Sequence, residues 1–141
     1  MPRTRLIFEV TESAAFLDAE AATQTLVAFR DLGVAISMDD YGTGQSTLSY
    51  LKRLPLSELK IDRSFVQFAH RDKGDALLVR STLNLAHELG LQVVAEGVED
   101  IECLTFLREI GCDYAQGYFI GKPMPAHELV EAVEANLLLA A

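Results

Sequence analysis

Five apolar, strand-like runs in this chain each finish on polar groups that packing does not call for. They are Leu6-Ile-Phe-Glu9, Ala35-Ile-Ser-Met-Asp39-Asp40, Glu58-Leu-Lys60-Ile-Asp62, Gln92-Val-Val-Ala-Glu96 and Tyr114-Ala-Gln116, with Glu12 trailing the first and Glu99 the fourth. Strand ends that carry acids, a lysine and an amide are what the catalytic rim of a parallel (β/α) barrel looks like. The spacing agrees. Asp31-Leu-Gly33, Glu88-Leu-Gly90 and Glu109-Ile-Gly111 read as helix ends closed by glycine. A polar group follows these glycines after six, six and five residues, at Asp39, Glu96 and Gln116.

Helical stripes fill the gaps. Residues 18–32, 75–89 and 99–110 repeat apolar positions at helical spacing, 126–139 opens just after Pro125, and a shorter stretch, 45–54, stops at Pro55. Strands are expected near 5–10, 34–39, 57–62, 92–96 and 114–119. Alternating strands and helices predict an α/β fold with a parallel sheet and right-handed crossovers. A closed eight-stranded barrel takes about 250 residues, and this chain has 141. The expectation is a partial TIM-type (β/α) barrel: about five parallel strands with outer helices, as one domain over 1–141. Five strands leave two edges, residues 5–10 and 114–119. The uncovered inner face is expected to be apolar, and a homodimer or other self-association through those edges follows.

A formal net charge of −9 argues against a nucleic-acid-binding face. No apolar run reaches the roughly 18 residues of a membrane span. The basic start, Met1-Pro-Arg-Thr-Arg, is not followed by the sustained apolar run of a secretion signal. Cys103 and Cys112 lack metal-ligand spacing and read as core residues in a reducing compartment, so a cytoplasmic location is expected.

Adjacent acids Asp39 and Asp40, followed by a turn with Gly42 and Gly44, need cations if they are buried as ions; the plainer reading is a solvated surface turn. Lys60 and Asp62 alternate with Ile61 and point to one face of their strand. They form either a buried structural ion pair or a site in which Lys60 orients or deprotonates a water. Glu96 ends a continuous apolar strand and reads as a ligand or hydrogen-bond anchor. Glu99 also fits a first-turn helix acid, and Glu12 either caps a helix or braces a loop. His70, His87 and His127 read as solvated surface residues. Acids plus one lysine, without a catalytic His or Cys, point to divalent metal chemistry, with Mg2+ or Mn2+ suiting carboxylate oxygens.

Glu9-Val-Thr-Glu12, Asp39-Asp-Tyr-Gly-Thr-Gly44, Leu59-Lys-Ile-Asp62, Ala95-Glu-Gly-Val-Glu99 and Gln116-Gly-Tyr118, in this order and at these spacings, resemble the EAL-domain family of bacterial cyclic di-GMP phosphodiesterases. The resemblance implies metal-dependent hydrolysis of cyclic di-GMP to linear pGpG. It implies Glu9, Asp39, Asp40 and Glu96 as metal ligands, with Lys60, Asp40 and Glu96 as the catalytic set and Lys60 contacting the water. It implies that Glu12 braces the loop over 41–44, which carries Thr43, and that Asp62, Glu99 and Gln116 support the ligand. The Glu-Ala-Leu signature and the Asn ligand expected after it do not occur in the chain, and they belong on strands preceding Glu9. That weakens the expected metal binding and activity of the chain alone, and sensor domains are expected upstream in a parent protein. Two alternatives stand beside this reading: a degenerate module that binds cyclic di-GMP or a protein partner without turnover, and another metal-dependent barrel enzyme of the enolase kind.

Overall fold

Five parallel strands lie side by side in chain order, β1-β2-β3-β4-β5. This structure is a computed structural model that describes residues 6–41 and 48–140. The strands are β1 (Ile7–Thr11), β2 (Ala35–Tyr41), β3 (Glu58–Ile61), β4 (Gln92–Glu96) and β5 (Tyr114–Gln116). The helices are α1 (Glu12–Leu17), α2 (Ala19–Asp31), α3 (Leu48–Leu51), α4 (Arg63–Val66), α5 (Lys73–Glu88), α6 (Ile101–Glu109) and α7 (Ala126–Ala140). The expected partial (β/α) barrel is what forms.

Local chemistry explains the long helices. Asp18, Asp72 and Asp100 cap α2, α5 and α6, accepting from the backbone N–H of Ala21 at 3.1 Å, Asp75 at 2.8 Å and Cys103 at 2.7 Å. The same three helices are closed by Gly33, Gly90 and Gly111 at φ of 83°, 75° and 81°, where a side chain would be strained.

Register and alternation assign the two faces of the sheet. Ile36, Met38, Leu59, Val93 and Ala95 point toward the helices and are completely buried. They pack with Leu26, Val66, Val79, Leu83 and Leu107 into one core. Cys103 belongs to that core, its thiol pushed up to about 11 chiefly by burial and further by the charge of Asp100. The opposite face differs from the expectation. It carries Glu9, Ser37, Asp39, Glu58, Lys60, Gln92, Glu96 and Gln116, with Ile7, Ala35, Val94 and Tyr114 as its apolar members. It is mainly polar, and Ser37 and Glu58 satisfy each other there through a 2.7 Å hydrogen bond. Among the described residues, a large open apolar surface is therefore absent from this face.

Several boundaries move. β5 stops at Gln116 rather than 119, and of the helix expected over 45–54, residues 45–47 lie outside the described ones and α3 ends at Leu51 rather than 54. Two short helices were not anticipated. Thr11 caps α1, accepting from Ala14 N–H at 3.3 Å, so Glu12 opens that helix rather than capping it. Asp62 leaves the strand and caps α4 through Ser64 N–H at 2.8 Å. The glycine turn over 42–44, with Thr43, lies outside the described residues.

Candidate functional site

The site starts from an irregularity in β2. Its pairing with β3 shifts register between Met38 and Tyr41, and Asp40 takes a φ of 57°. A bulge adds a residue and re-aims side chains. Regular alternation would send Asp39 and Asp40 to opposite faces. With the bulge, each offers a carboxylate oxygen to a group completed by Glu96, all within 4.8 Å of one another. The backbone N–H of Asp40 is held by Asp39 Oδ1 at 2.8 Å.

Lys60 rises from β3 beneath these acids. Its Nζ lies 2.7 Å from Glu96, 3.0 Å from Glu9 and 4.0 Å from Asp39, and its side chain is only 5% exposed. Burial pushes the Lys60 pKa down, but the hydrogen bonds it donates to Glu96 and Glu9 and the charges of Glu96 and Asp39 outweigh it and hold the pKa above its ordinary value. In this arrangement Lys60 is an ammonium, a donor with no lone pair to take a proton. Orienting a water fits that state, and deprotonating one does not. Burial raises the Glu96 pKa, with Asp39 and Glu9 adding to it against the pull of Lys60. Burial also raises Asp40, helped by Asp39 and Asp62.

These acids fit a hard cation. Three oxygen donors converge, two of them on carboxyls whose charged form the surroundings already disfavour, and a divalent ion would relieve that. Glu9 stands apart from the convergent three, joined to them through Lys60.

The remaining expected residues take distinct places. Glu12 is 2% exposed. Its charge reinforces the effect of burial in raising the Tyr41 hydroxyl pKa, which puts it beside the last residue of β2. Asp62 is held low, first by its bond from the Ser64 hydroxyl. Gln116 ends β5 and lines a cavity of about 240 Å3 shared with Glu96, Glu99 and Tyr118. Glu99 is not a first-turn helix acid, since α6 begins at Ile101 with Asp100 as its cap. Instead it pairs with Arg63 at 2.8 Å and accepts from Gln67 at 3.2 Å. Sequence reading does not single out Arg63 or Gln67. Their only signal is the four-residue spacing, which means something once residues 63–66 are known to be helical. His70 departs from its surface reading: its side chain is 9% exposed, and its buried Nδ1 has no hydrogen-bond partner among the described residues.

The EAL domain family matches residues 1–123. Among curated proteins, the chain is 48% identical over 130 residues to the bifunctional diguanylate cyclase/cyclic di-GMP phosphodiesterase MucR of Pseudomonas aeruginosa, covering 92% of this chain and 19% of MucR. It is 43% identical to the cyclic di-GMP phosphodiesterase NbdA of the same organism, covering 17% of that protein. The chain thus spans less than a fifth of either relative. Among solved structures, the cyclic di-GMP complex of the MucR phosphodiesterase superposes with a TM-score of 0.87, over 92% of this chain and 52% of that one. The manganese and cyclic di-GMP complex of BlrP1 from Klebsiella pneumoniae superposes at 0.81 with 31% identity, over 87% of this chain and 31% of that one.

Proposed function

This chain belongs to the EAL domain family, and we propose that its site serves metal-dependent hydrolysis of cyclic di-GMP to linear pGpG. The observation that carries the reading is the convergence of Asp39, Asp40 and Glu96 around the buried ammonium of Lys60. Relatives of the same family are named as cyclic di-GMP phosphodiesterases.

Asp39, Asp40 and Glu96, with Glu9 alongside, would hold Mg2+ or Mn2+, which when bound activates water and neutralises phosphodiester charge. Lys60 balances the acids and donates to a water, fixing its orientation. Glu12 braces Tyr41 and with it the loop over 41–44, where Thr43 sits. Asp62 sets the first turn of α4, and Glu99 and Gln116 border the cavity beside the acids. Two further assignments belong to this proposal: a cytoplasmic signalling role downstream of sensor domains, and self-association through the open edge strands β1 and β5.

The chain carries no Glu-Ala-Leu tripeptide. That observation favours a second reading, in which these 141 residues bind metal and cyclic di-GMP without turnover. One experiment addresses both. Mn2+ binding is titrated on the pure chain and on Asp40→Asn, and cyclic di-GMP hydrolysis is followed in parallel. Mn2+ is expected to bind the chain weakly, the variant to lose at least tenfold in affinity, and turnover to be negligible. Equal Mn2+ binding by both proteins sinks the metal assignment. Substantial Mn2+-dependent pGpG formation that Lys60→Ala abolishes makes the chain a working enzyme and removes the second reading.

Self-association has its own check. Sedimentation at micromolar concentration is expected to show a dimer, and a clean monomer with a cooperative melt overturns it. The polar inner face leaves the backbone edges of β1 and β5 as the contacts to test.

A further inference from the structure

Arg63 and Gln67 stand four residues apart, across α4, and both reach the same carboxylate. Arg63 Nη2 meets Glu99 Oε1 at 2.8 Å, and Gln67 Nε2 donates to Glu99 Oε2 at 3.2 Å. Both oxygens of Glu99 are thereby taken by one short helix. The stem of Arg63 crosses the chain at Gly97. A Cβ on Gly97 would overlap the Arg63 side chain, and the φ of 78° there already favours glycine. Gly97 follows Glu96, a member of the acid cluster, and Glu99 borders the cavity beside it. The segment between them is tied to β5 by Val98 N–H to Gln116 O at 3.0 Å.

We propose that Arg63, seconded by Gln67, is a positioning residue that fixes Glu99 and thereby sets the mouth of the cavity beside Glu96; the ligand part of this proposal rests on the cyclic di-GMP reading above. Arg63 is 57% exposed on its side chain. An ion pair so open contributes little to global stability, so a role in the fold alone does not explain the arrangement. Freed from Arg63, the Glu99 carboxylate gains rotamers that bring its charge over the cavity, against any ligand carrying phosphates. The replacement removes a positive charge and releases a negative one at the same rim.

The test uses the 141-residue chain, with Arg63→Ala, Arg63→Lys, Glu99→Gln and the double variant Arg63→Ala/Glu99→Gln. Amide exchange is read at Val98, with the core strand residue Val94 as reference. Binding is read by titrating Mn2+ and then cyclic di-GMP. In Arg63→Ala, exchange at Val98 is expected to quicken about tenfold while Val94 is unchanged, and the melting temperature moves by no more than about 2 °C. Mn2+ affinity holds, cyclic di-GMP affinity falls about tenfold, and Arg63→Lys recovers part of both effects. Because Arg63 acts through Glu99, the double variant binds no more weakly than Arg63→Ala alone. Unchanged Val98 exchange, unchanged cyclic di-GMP affinity, or losses that add in full each overturn the proposal, the last by making Arg63 a direct ligand contact. If the unaltered chain takes up no cyclic di-GMP, the functional reading fails, and the exchange measurement alone decides the clamp.

Discussion

Replacing Lys60 with methionine is expected to cost about 3 kcal/mol of folding stability at neutral pH, because it removes one partner of a buried ionic group and leaves the others facing each other. Methionine keeps the length of the stem, so the loss reports charge rather than volume. The charges left behind are Glu96 and Asp39, 19% and 23% exposed on their side chains, and the more open Glu9. For a chain of this size that corresponds to roughly 10 °C in melting temperature. The pH dependence has a definite sign. In the native protein the Lys60 pKa lies above the ordinary 10.5, so its contribution is complete below that value and is lost only as pH rises through the folded pKa. In the variant the carboxyl of Glu96, already raised from 4.5 mainly by burial, loses its cation and rises further. A carboxyl with a raised folded pKa favours the fold at low pH and ceases to as pH increases. The deficit is therefore largest at neutral pH and shrinks as pH falls toward 4.5. Urea titrations near pH 5 and pH 7.5 check both parts. A loss under 1 kcal/mol, or a deficit that grows on acidification, contradicts the ionic account.

Alanine at Gly117 is expected to be as damaging, for a reason without charge. A Cβ there would fall on the backbone N, C and O of Val98. Val98 has nowhere to retreat. Its side chain is fully buried, its N–H is held by Gln116 O at 3.0 Å, and its carbonyl accepts from Phe119 N–H at 3.1 Å. Backbone pressed on backbone is not relieved by turning a rotamer, so the overpacking cost is expected near the top of the usual range, about 3 kcal/mol. Gly90→Ala is the control. A Cβ there meets nothing, and only the φ of 75° is strained, which costs about 1–2 kcal/mol. Equal destabilisation of the two variants by chemical denaturation rejects the steric argument.

The sheet was legible because each strand is a short apolar run that finishes on polar groups, and because Asp31-Leu-Gly33, Glu88-Leu-Gly90 and Glu109-Ile-Gly111 repeat the same helix closure. Asp39, Asp40, Glu96 and Lys60 were legible as strand-end polar groups, and the structure draws them together. What escaped has physical reasons. α1 and α4 are six and four residues long, too short to show a periodic stripe, and their caps Thr11 and Asp62 are residue types that serve loops and sites equally well. The bulge that turns Asp40 beside Asp39 leaves no sequence mark, because it is a property of pairing between β2 and β3. The polar inner face was written in the alternation Ser37/Asp39 and Glu58/Lys60, but the expectation of an apolar barrel interior hid it. His70 looked solvated because its neighbours Arg71 and Asp72 are charged, whereas burial at a turn depends on what packs over it.

Strand order that repeats chain order has a consequence for how this protein is assembled. Each strand pairs only with the strand before it and the strand after it, so every loop closure needed to build the sheet is short, and no late segment must thread between earlier ones. Chains of such topology gain their contacts in steps from near neighbours, although each parallel pairing must first close a whole helical crossover. Local opening is graded in the same way. β3, flanked by two strands on each side and carrying Lys60, is the last to yield, while β1, which brings Glu9, sits at the margin. The acids are thus assembled from units of unequal persistence, and Glu9 is the member whose attachment a neighbouring polypeptide would most readily strengthen or release.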